Sequence, residues 1–266
     1  AGPEDGAPAA LAEGLQEQLP KFEGGRLAIV VSALPYKCPP APYEGALLLD
    51  EYFRKRRMRD AVEITFYTPD KLPLPVAGEH IGKELLGMLT SRDIKFRPNM
   101  KLKSVDHIGR SLEFEGHDRQ AFDMVIATPV HRVPEVLVRS GLAEAGGWMS
   151  VDRETLAVPG IEDVYAIGDC VDIRISGGLR LPMAGVFAHG EAEGVARNIA
   201  AEINGGEPMW AYGGHGACFL ETGGGKSAYL AGNFYADPID AAMRRPGRWW
   251  HWTKLGFERT WLWRWF

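Results

Sequence analysis

Hydrophobic runs of strand length alternate with amphipathic stretches of helix length through the first half of the chain. The predicted strands lie at 27–32, 62–68, 94–97 and 124–127, and the predicted helices at 43–58 and 78–89. The run that ends at Ala127 is continuously apolar, which is typical of a strand buried on both faces of a parallel sheet. Before that strand, a hairpin is predicted at 102–105 and 111–115. This order indicates a parallel sheet with crossover helices and one β excursion.

The second half of the chain has a less regular pattern. Its predicted elements are strands at 149–152 and 164–167 and a clear helix at 186–203, while a further helix is predicted near the start, at 9–19. Cys218 lies in a glycine-rich stretch that predicts an exposed turn before an apolar strand. A turn at 236–238 and a tail rich in tryptophan follow. The whole pattern predicts an α/β protein of Rossmann-like class, with parallel sheets, helices and an amphipathic C-terminal tail.

Composition limits the kinds of fold, partner and cellular compartment that fit this chain. With 266 residues, 45% of them hydrophobic, the chain can bury a large core in one or two domains. A net charge of −5 without a broad basic patch argues against nucleic acid. Three cysteines suit a reduced compartment, or one redox pair with a spare thiol. The start of the chain lacks the pattern of a signal peptide, and no apolar stretch of about 20 residues predicts a membrane span.

Cys38 stands in the turn where a dinucleotide-binding βαβ unit would carry its glycine-rich fingerprint. Between Val31 and Glu44 the chain has no glycine and four prolines, which lack the N–H groups that a phosphate needs. The unit is therefore predicted to have given up a nucleotide. In exchange it places a thiol near a helix N-terminus, where the helix dipole favours the thiolate. A small buried cysteine in a rigid loop is the alternative.

Gly168 and Asp169 end a predicted strand, which puts a carboxylate at the edge where α/β proteins bind ligands. Asp169 can accept a hydrogen bond from a sugar or ribityl hydroxyl, and Gly168 lets the backbone come close to the ligand. The helix start at Ala184, Gly185 and Val186 can stabilise negative charge at the pyrimidine edge of a flavin. The alternative for Asp169 is a residue that caps its own turn.

These motifs resemble those of a known flavoprotein family. The segments 165–169 and 188–192, with Pro182 between them, look like the C-terminal half of flavoproteins that have two dinucleotide-binding domains. The Cys38 loop and the segment 216–219 resemble those of sulfide:quinone oxidoreductases and flavocytochrome sulfide dehydrogenase flavoproteins. The likeness covers nearly the whole chain. The glycine-rich βαβ unit with which that family holds the FAD pyrophosphate has no counterpart in this sequence.

The resemblance implies FAD as cofactor, with sulfide and a quinone as partners. It also implies that Cys38 and Cys218 face each other across the sulfide side of the flavin and carry sulfur as a disulfide, persulfide or polysulfide bridge. Such chemistry is feasible, because thiolates attack disulfides readily and can donate an electron pair to an oxidised flavin. On the residues alone, two unrelated buried thiols explain the sequence equally well. Cys170 is interpreted as core packing.

Two further groups of residues are candidates for proton transfer and quinone binding. Glu44, in the first turn of the helix after Cys38, is a candidate proton acceptor for sulfide chemistry, and His80 is a second. The alternatives are an acid that favours the helix dipole and a satisfied surface histidine. Phe219, Lys254 and Phe257 match residues that the family places near quinone. An aromatic ring can stack on a quinone, and a lysine can stabilise the anion of its reduction.

The tail from Arg244 to Phe266 combines aromatic and basic residues. It holds six of the eight tryptophans, Trp249, Trp250, Trp252, Trp261, Trp263 and Trp265. It also holds six basic residues against one acid, Glu258. This composition predicts a membrane interface, with a protein or oligomer interface as the alternative. For an interfacial anchor, the tryptophans are expected on one side of a helix, and the protein would be peripheral on a bacterial-type membrane.

The resemblance divides the chain into three regions. Residues 1–134 would be a Rossmann-like second dinucleotide-type domain with Cys38, 135–205 the C-terminal part of an FAD-binding domain, and 206–266 a quinone and membrane region with Cys218. The predicted function is that of an FAD-dependent sulfide:quinone oxidoreductase, with a homo-oligomer possible. One alternative is an NADH:quinone or NADH:disulfide oxidoreductase, although the Cys38 turn lacks the glycines for NADH. The other is a cofactor-less fragment that acts as a binding module.

Overall fold

The computed structural model describes residues 14–144, 146–207 and 209–266. The elements of the first half are β1 Gly25–Val31, α1 Ala41–Lys55, β2 Val62–Tyr67, α2 Glu79–Thr90, β3 Lys95–Arg97, β4 Leu102–Asp106, β5 Ser111–Phe114, β6 Gln120–Ala121, β7 Met124–Thr128 and α3 Glu135–Arg139. Short 3-10 helices lie at Leu19–Lys21, Arg59–Ala61 and Pro75–Ala77. Four strands form a parallel sheet in the order β3-β2-β1-β7. The predicted α/β class is confirmed, with element ends shifted by one to three residues.

The apolar run of β1 makes it a central strand, buried on both faces. Leu27 and Ile29 belong to the larger core, which also holds the apolar side of α1 and α2. Ala28 and Val30, which point the other way, belong to a second core cluster. β1 pairs with β2 on one side and with β7 on the other. The Cys38 loop follows the carboxyl end of β1.

The predicted β excursion covers the second face of the parallel sheet. Strands β4, β5 and β6 form a three-stranded antiparallel sheet in the order β4-β5-β6. From it, Leu112 and Phe114 pack with Ala28 and Val30. The Phe114 ring also stacks on Tyr67, with ring centroids 5.0 Å apart. This face of the parallel sheet is therefore covered by strands and the opposite face by helices.

The segment between α3 and residue 184 corrects part of the prediction. The strands expected at 149–152 and 164–167 are present only as single bridges, Met149 to Val171 and Ala157 to Tyr165. Their backbone groups are satisfied instead by turns and loop contacts, such as the 2.8 Å bond from the Val158 amide to the Val164 carbonyl. Short 3-10 helices follow at Gly168–Cys170 and Ser176–Gly178. Of the helix predicted at 9–19, residues 14–18 are helical, and residues 9–13 lie outside the described part of the chain.

The last third of the chain is a helix, an antiparallel sheet and a second helix. Its elements are α4 Gly185–Ile203, β8 His215–Gly223, β9 Lys226–Asn233, β10 Asp240–Gly247 and α5 Arg248–Trp265. The strands pair in the order β10-β9-β8, so β8 is an edge strand, and α1 lies along it. The expected turn at 236–238 joins β9 to β10. Among the described residues, no helix combines the length and the apolar character that crossing a bilayer requires.

The structure corrects the prediction for Cys218, which lies within β8 and not in an exposed turn. Side chains alternate along a strand, so neighbouring residues of β8 face opposite ways. Cys218 faces Phe187 of α4 across a cavity, whereas Phe219 contacts Phe257 of α5. Residues 216–218 are small and apolar, and so fit a strand packed against α4 as well as they fit a turn.

Candidate active site

The Cys38 loop leaves the carboxyl end of β1 and is held by its backbone. The Cys38 amide donates a 2.7 Å hydrogen bond to the Met183 carbonyl, and the Cys38 carbonyl accepts one of 2.8 Å from the amide of Ala41. Cys38 itself has a φ of +50°, in the left-handed region that few residues other than glycine adopt. These contacts fix the direction of the thiol between the start of α1 and the segment before α4.

Cys38 and Cys218 line the same apolar cavity, which is partly open to solvent. Its wall also includes Leu230 and Phe234 from the region of the C-terminal sheet, Val76 and Ala77 from the loop before α2, and Pro182, Ala184, Val186 and Phe187 around the start of α4. Both cysteines are free thiols in this structure. Two cysteines that are 180 positions apart in the chain thus open onto one space, next to the predicted flavin residues.

Burial holds both cysteines in the protonated form. Desolvation, with smaller effects of the nearby Cys38 and Glu44, raises the pKa of Cys218 from 9.0 to about 12. Cys38 lies at the exposed rim of the cavity, yet desolvation also raises its pKa, more than the hydrogen bond with the Ala41 backbone lowers it. The prediction that the helix dipole favours the Cys38 thiolate is therefore wrong. α1 begins only at Ala41, and the protein around the sulfur opposes its charge.

Glu44 lies between the cysteines and α5. Its Oε2 accepts a 3.0 Å hydrogen bond from the amide of Glu221 on the free edge of β8, and its Oε1 lies 3.7 Å from Lys254 Nζ. Burial raises the pKa of the Glu44 carboxyl, while the Glu221 amide and Lys254 lower it. Its charge acts on both Cys38 and Cys218. The predicted proton acceptor thus lies within electrostatic reach of both thiols.

His80 is not brought to this site. Its side chain, at the start of α2, is 86% exposed, and its Nε2 pairs with Glu84 one turn along the same helix at 3.3 Å. It does not line the cavity that holds the cysteines. The segment 75–77 before the helix does, but the helix turns His80 outward. The prediction of His80 as a proton shuttle is therefore corrected in favour of the surface alternative.

The three residues predicted to contact quinone lie together on the other face of β8. The rings of Phe219 and Phe257 have centroids 6.3 Å apart. Lys254, one turn before Phe257 on α5, is paired with Glu221 at 3.5 Å as well as with Glu44. This group is separated from Cys218 by the thickness of the β8 backbone.

Gly168 and Asp169 form a turn that a buried acid supports. Gly168 has a φ of +72°, and a Cβ built on it would lie 3.1 Å from the Ala188 methyl group, so a side chain there would be strained and crowded. Its amide donates a 2.6 Å hydrogen bond to Oε2 of Glu191, a residue that is only 1% exposed. The Asp169 carboxylate pairs with Lys37 at 3.1 Å. Lys37 precedes Cys38, so this ion pair connects the predicted flavin edge to the cysteine loop.

These residues fit a flavin. Ala184, at the N-cap of α4, contributes no side-chain hydrogen bond, so the first amides of the helix remain able to meet a negatively charged ring edge. Gly168, Ala184 and Gly185 are small enough for a planar ring to approach the backbone. Asp169 supplies a hydrogen-bond acceptor beside them. The chemistry of this donor and acceptor set suits the pyrimidine and ribityl parts of FAD.

The structure divides the tryptophans of the tail, so the expectation that they lie on one side of a helix is wrong. Trp250 stacks on Tyr229 with centroids 4.7 Å apart, and Trp261 lies against Phe257 at 5.6 Å. Trp249, Trp252 and Trp263 point outward and are 71%, 66% and 86% exposed. In a regular helix these three positions fall within about 60° around the axis. One face of α5 thus packs on the sheet, and the other presents three indoles.

Comparisons with known proteins agree with this arrangement. Residues 12–127 match the model for the central part of the sulfide dehydrogenase [flavocytochrome c] flavoprotein chain. The mitochondrial sulfide:quinone oxidoreductase of Mus musculus is 27% identical over 225 residues, which are 82% of this chain and 48% of that protein. The crystal structure of the Aquifex aeolicus sulfide:quinone oxidoreductase superposes with a TM-score of 0.78 at 22% identity, over 95% of this chain and 60% of that one. Over most of its length, this chain is thus similar to sulfide:quinone oxidoreductases.

The chain spans about half the length of the curated relatives that it matches. The sulfide-quinone reductase of Aquifex aeolicus, 25% identical over 267 residues, is covered to 60% of its length. The family match by sequence model reaches from before β1 to β7, and the structural match extends over nearly all of the described chain. The structural likeness thus supports the Rossmann-like fold of this chain.

Sequence reasoning missed several residues of the site. Glu191, Glu221 and His251 are charged or polar groups within otherwise apolar or aromatic stretches, and Lys37 is hidden beside a more conspicuous cysteine. Glu221 offered one signal, because it is an acid that directly follows three apolar residues in a predicted strand. The other partners become visible only when α4 and α5 are placed against their neighbours.

Proposed function

We propose that the protein oxidises sulfide with a bound FAD and passes the electrons to a quinone. The observation that carries this proposal is the shared cavity of Cys38 and Cys218, which also reaches Ala184 and Val186 at the start of α4. FAD, when bound there, would accept an electron pair from the sulfur side and give it up to a second substrate. The exposed wall of the cavity is apolar, which suits sulfur atoms beside a flavin ring.

The two cysteines supply the sulfur chemistry. Loss of two electrons and two protons converts the thiols to a Cys38–Cys218 disulfide. Hydrosulfide then attacks one sulfur, so that a new S–S bond forms, the old one breaks, and a persulfide and a thiolate result. Because burial disfavours the thiolate of both cysteines, a proton acceptor is needed, and Glu44 is the acid whose charge reaches both. For a polysulfide to form, the persulfide and the thiolate must first join in a trisulfide bridge with loss of two electrons, which FAD would accept, before further hydrosulfide attacks.

The quinone is proposed to bind between Phe219 and Phe257. Their rings pack together on the side of β8 opposite to Cys218, with centroids 6.3 Å apart, and the proposed quinone slot would open between them. Lys254 lies at the inner end of this slot and, with its positive charge, stabilises the anion of a partly reduced quinone. Sulfur chemistry and quinone chemistry would thus take place on opposite faces of one edge strand.

The outward face of α5 is proposed to attach the protein to a membrane surface. Trp249, Trp252 and Trp263 are exposed, and Arg248 and Arg259 lie beside them. Indole rings favour the headgroup level, and arginines favour anionic lipid. A quinone dissolved in the bilayer could then enter the slot without crossing water. We further propose the three-part division at residues 134 and 205 as the functional division of the chain.

Anaerobic mixing of the flavin-loaded protein with sulfide or with NADH tests the proposal. Sulfide is expected to bleach the flavin, and a water-soluble quinone is expected to restore its absorbance. Bleaching by NADH alone would favour the NADH:quinone or NADH:disulfide alternative. A purified protein that reconstitutes with no FAD would favour a binding module.

A further inference from the structure

A group of charged side chains joins α5 to the edge of the C-terminal sheet. We call Glu44, Glu221, His251, Lys254 and Glu258 the α5 ionic cluster. Glu221 is its centre, because one oxygen, Oε1, lies 2.9 Å from His251 Nδ1 and 3.5 Å from Lys254 Nζ. The residue Glu221 is buried, while the His251 side chain is 28% exposed. The cluster therefore forms a continuous polar path from solvent to the proposed quinone slot.

The charged groups around His251 and Lys254 come from three elements. Glu221 belongs to β8, Glu44 to α1, and Lys254 and Glu258 to α5 itself. Lys254 is paired with all three carboxylates, which raise the pKa of its ammonium group against the effect of burial. Hydrogen bonding with His251 and the charge of Lys254 lower the pKa of Glu221 despite burial. Lys254 can therefore donate protons repeatedly only if another group returns a proton to its amine after each transfer.

We propose that His251 is the solvent-side end of a proton relay, His251–Glu221–Lys254, that serves quinone reduction. The inference rests on the proposed function and adds a residue to it. Imidazole exchanges protons near neutral pH, and the ring of His251 meets both water and the buried carboxylate. Neither the His251 nor the Glu221 side chain lines the cavity of the two cysteines.

The relay keeps protons and electrons in balance. Reduction of a quinone to a quinol consumes two electrons, which the proposed reaction supplies, and two protons. For each proton, an N–H bond of the Lys254 ammonium group breaks as an O–H bond forms on the quinone. The neutral amine regains a proton from the His251 imidazolium through the Glu221 carboxylate, and His251 regains one from water. The cluster thus returns to its starting charge after every transfer.

The test uses the flavin-loaded protein with His251→Ala and His251→Gln. The sulfide-reduced protein is mixed with a water-soluble quinone over a pH series, and flavin reoxidation is followed. We expect reoxidation to slow at least about tenfold near neutral pH. Added imidazole is expected to restore the rate in His251→Ala, because the vacated position is open to solvent. Sulfide-driven flavin reduction should keep its wild-type rate in both variants.

Two controls separate the relay from a structural effect of histidine loss. His189 also contacts α5, through Trp261 and Trp265, but stands outside the cluster, so His189→Ala should show no response to imidazole. Glu258→Gln removes the alternative route from Lys254 to water. The relay would be overturned if flavin reoxidation in His251→Ala and His251→Gln followed the wild-type pH profile and imidazole did not speed it. Slow reoxidation in Glu258→Gln would then identify Glu258 as the route of the proton. A wild-type protein that reduces no quinone would refute the proposed function itself.

Discussion

The amide of Cys38 donates a 2.7 Å hydrogen bond to the carbonyl of Met183, the residue before the N-cap of α4. Met183 is buried, so this bond joins two fixed pieces of backbone. The Lys37–Asp169 ion pair, at 3.1 Å, lies one residue away on the cysteine side. Together these contacts set the distance between the proposed sulfur site and the proposed flavin edge. The cysteine loop is thus positioned by the segment that leads into α4.

The first prediction concerns the three thiols. Cys38→Ser and Cys218→Ser should each reduce the rate of sulfide-driven flavin bleaching by about 100-fold or more, since neither a disulfide nor a persulfide bridge can form. Cys170→Ser is the matched control, because Cys170 is half-buried and donates to the Ile167 carbonyl outside the cavity. Stopped-flow absorbance of the flavin measures all three. Equal loss in the Cys170 variant, or normal bleaching in either of the others, would refute the pair.

The second prediction concerns flavin occupancy. Asp169→Ala should lower the ratio of flavin to protein absorbance after reconstitution with FAD, because the acceptor proposed for the ribityl hydroxyl is lost. Lys37→Met serves as the control, since it breaks the same ion pair but leaves the carboxylate in place. Both side chains are partly exposed, so either change should shift the unfolding free energy by less than about 1 kcal/mol. Full occupancy in Asp169→Ala would return Asp169 to the role of a turn residue.

The parallel sheet was predictable because its strands are buried on both faces, which leaves a continuous apolar signature in β1 and β7. The 149–152 and 164–167 segments carry a similar local pattern but lack a ladder of partners among the described residues. Pairing is a tertiary property, so propensity alone overstated these strands.

The site was predictable where a single residue type carries the chemistry. Cys38 and Cys218 stood out in this way, and the structure places both at one cavity. The protonation state of Cys38 was not predictable, because it depends on how much protein surrounds the sulfur, and a turn sequence does not reveal burial. His80 shows the same limit, since only the packing of α2 decides which way the ring points.

The third prediction follows from the raised pKa of Cys218. In the folded protein this thiol titrates at about 12, against 9.0 in an ordinary environment. Between these values the unfolded chain releases a proton that the folded protein retains, so the free energy of unfolding must fall as pH rises above 9. The contribution of the Cys218 thiol to the free energy of unfolding is present in full below pH 9 and amounts to at most about 4 kcal/mol.

Buried tyrosines also titrate in this range, so the measurement is a difference. Denaturant unfolding of the wild type and of Cys218→Ala, from pH 8 to 11, should give curves that converge as pH rises. Cys170→Ala controls for loss of a thiol at a less buried position. Parallel curves for the wild type and Cys218→Ala would show that Cys218 is not desolvated in the folded protein.

The last prediction separates the two faces of α5. The triple variant Trp249→Ala, Trp252→Ala and Trp263→Ala removes three exposed indoles, of which Trp252 contacts the His251 ring. It should release the protein from anionic liposomes with little change in stability. Trp250→Ala is the matched control, because it removes the ring stacked on Tyr229. It should lower the free energy of unfolding by about 1–2 kcal/mol and leave lipid binding in place.

Liposome sedimentation measures membrane binding, and denaturant unfolding measures stability. The rate of quinone reduction then relates membrane binding to function. The triple variant should reduce a water-soluble quinone normally but a bilayer-dissolved quinone slowly, because only the second must enter from lipid. Unchanged sedimentation of the triple variant would exclude the outward indoles as the membrane contact. If its apparent mass in solution fell at the same time, these rings would instead belong to an interface between copies of the chain.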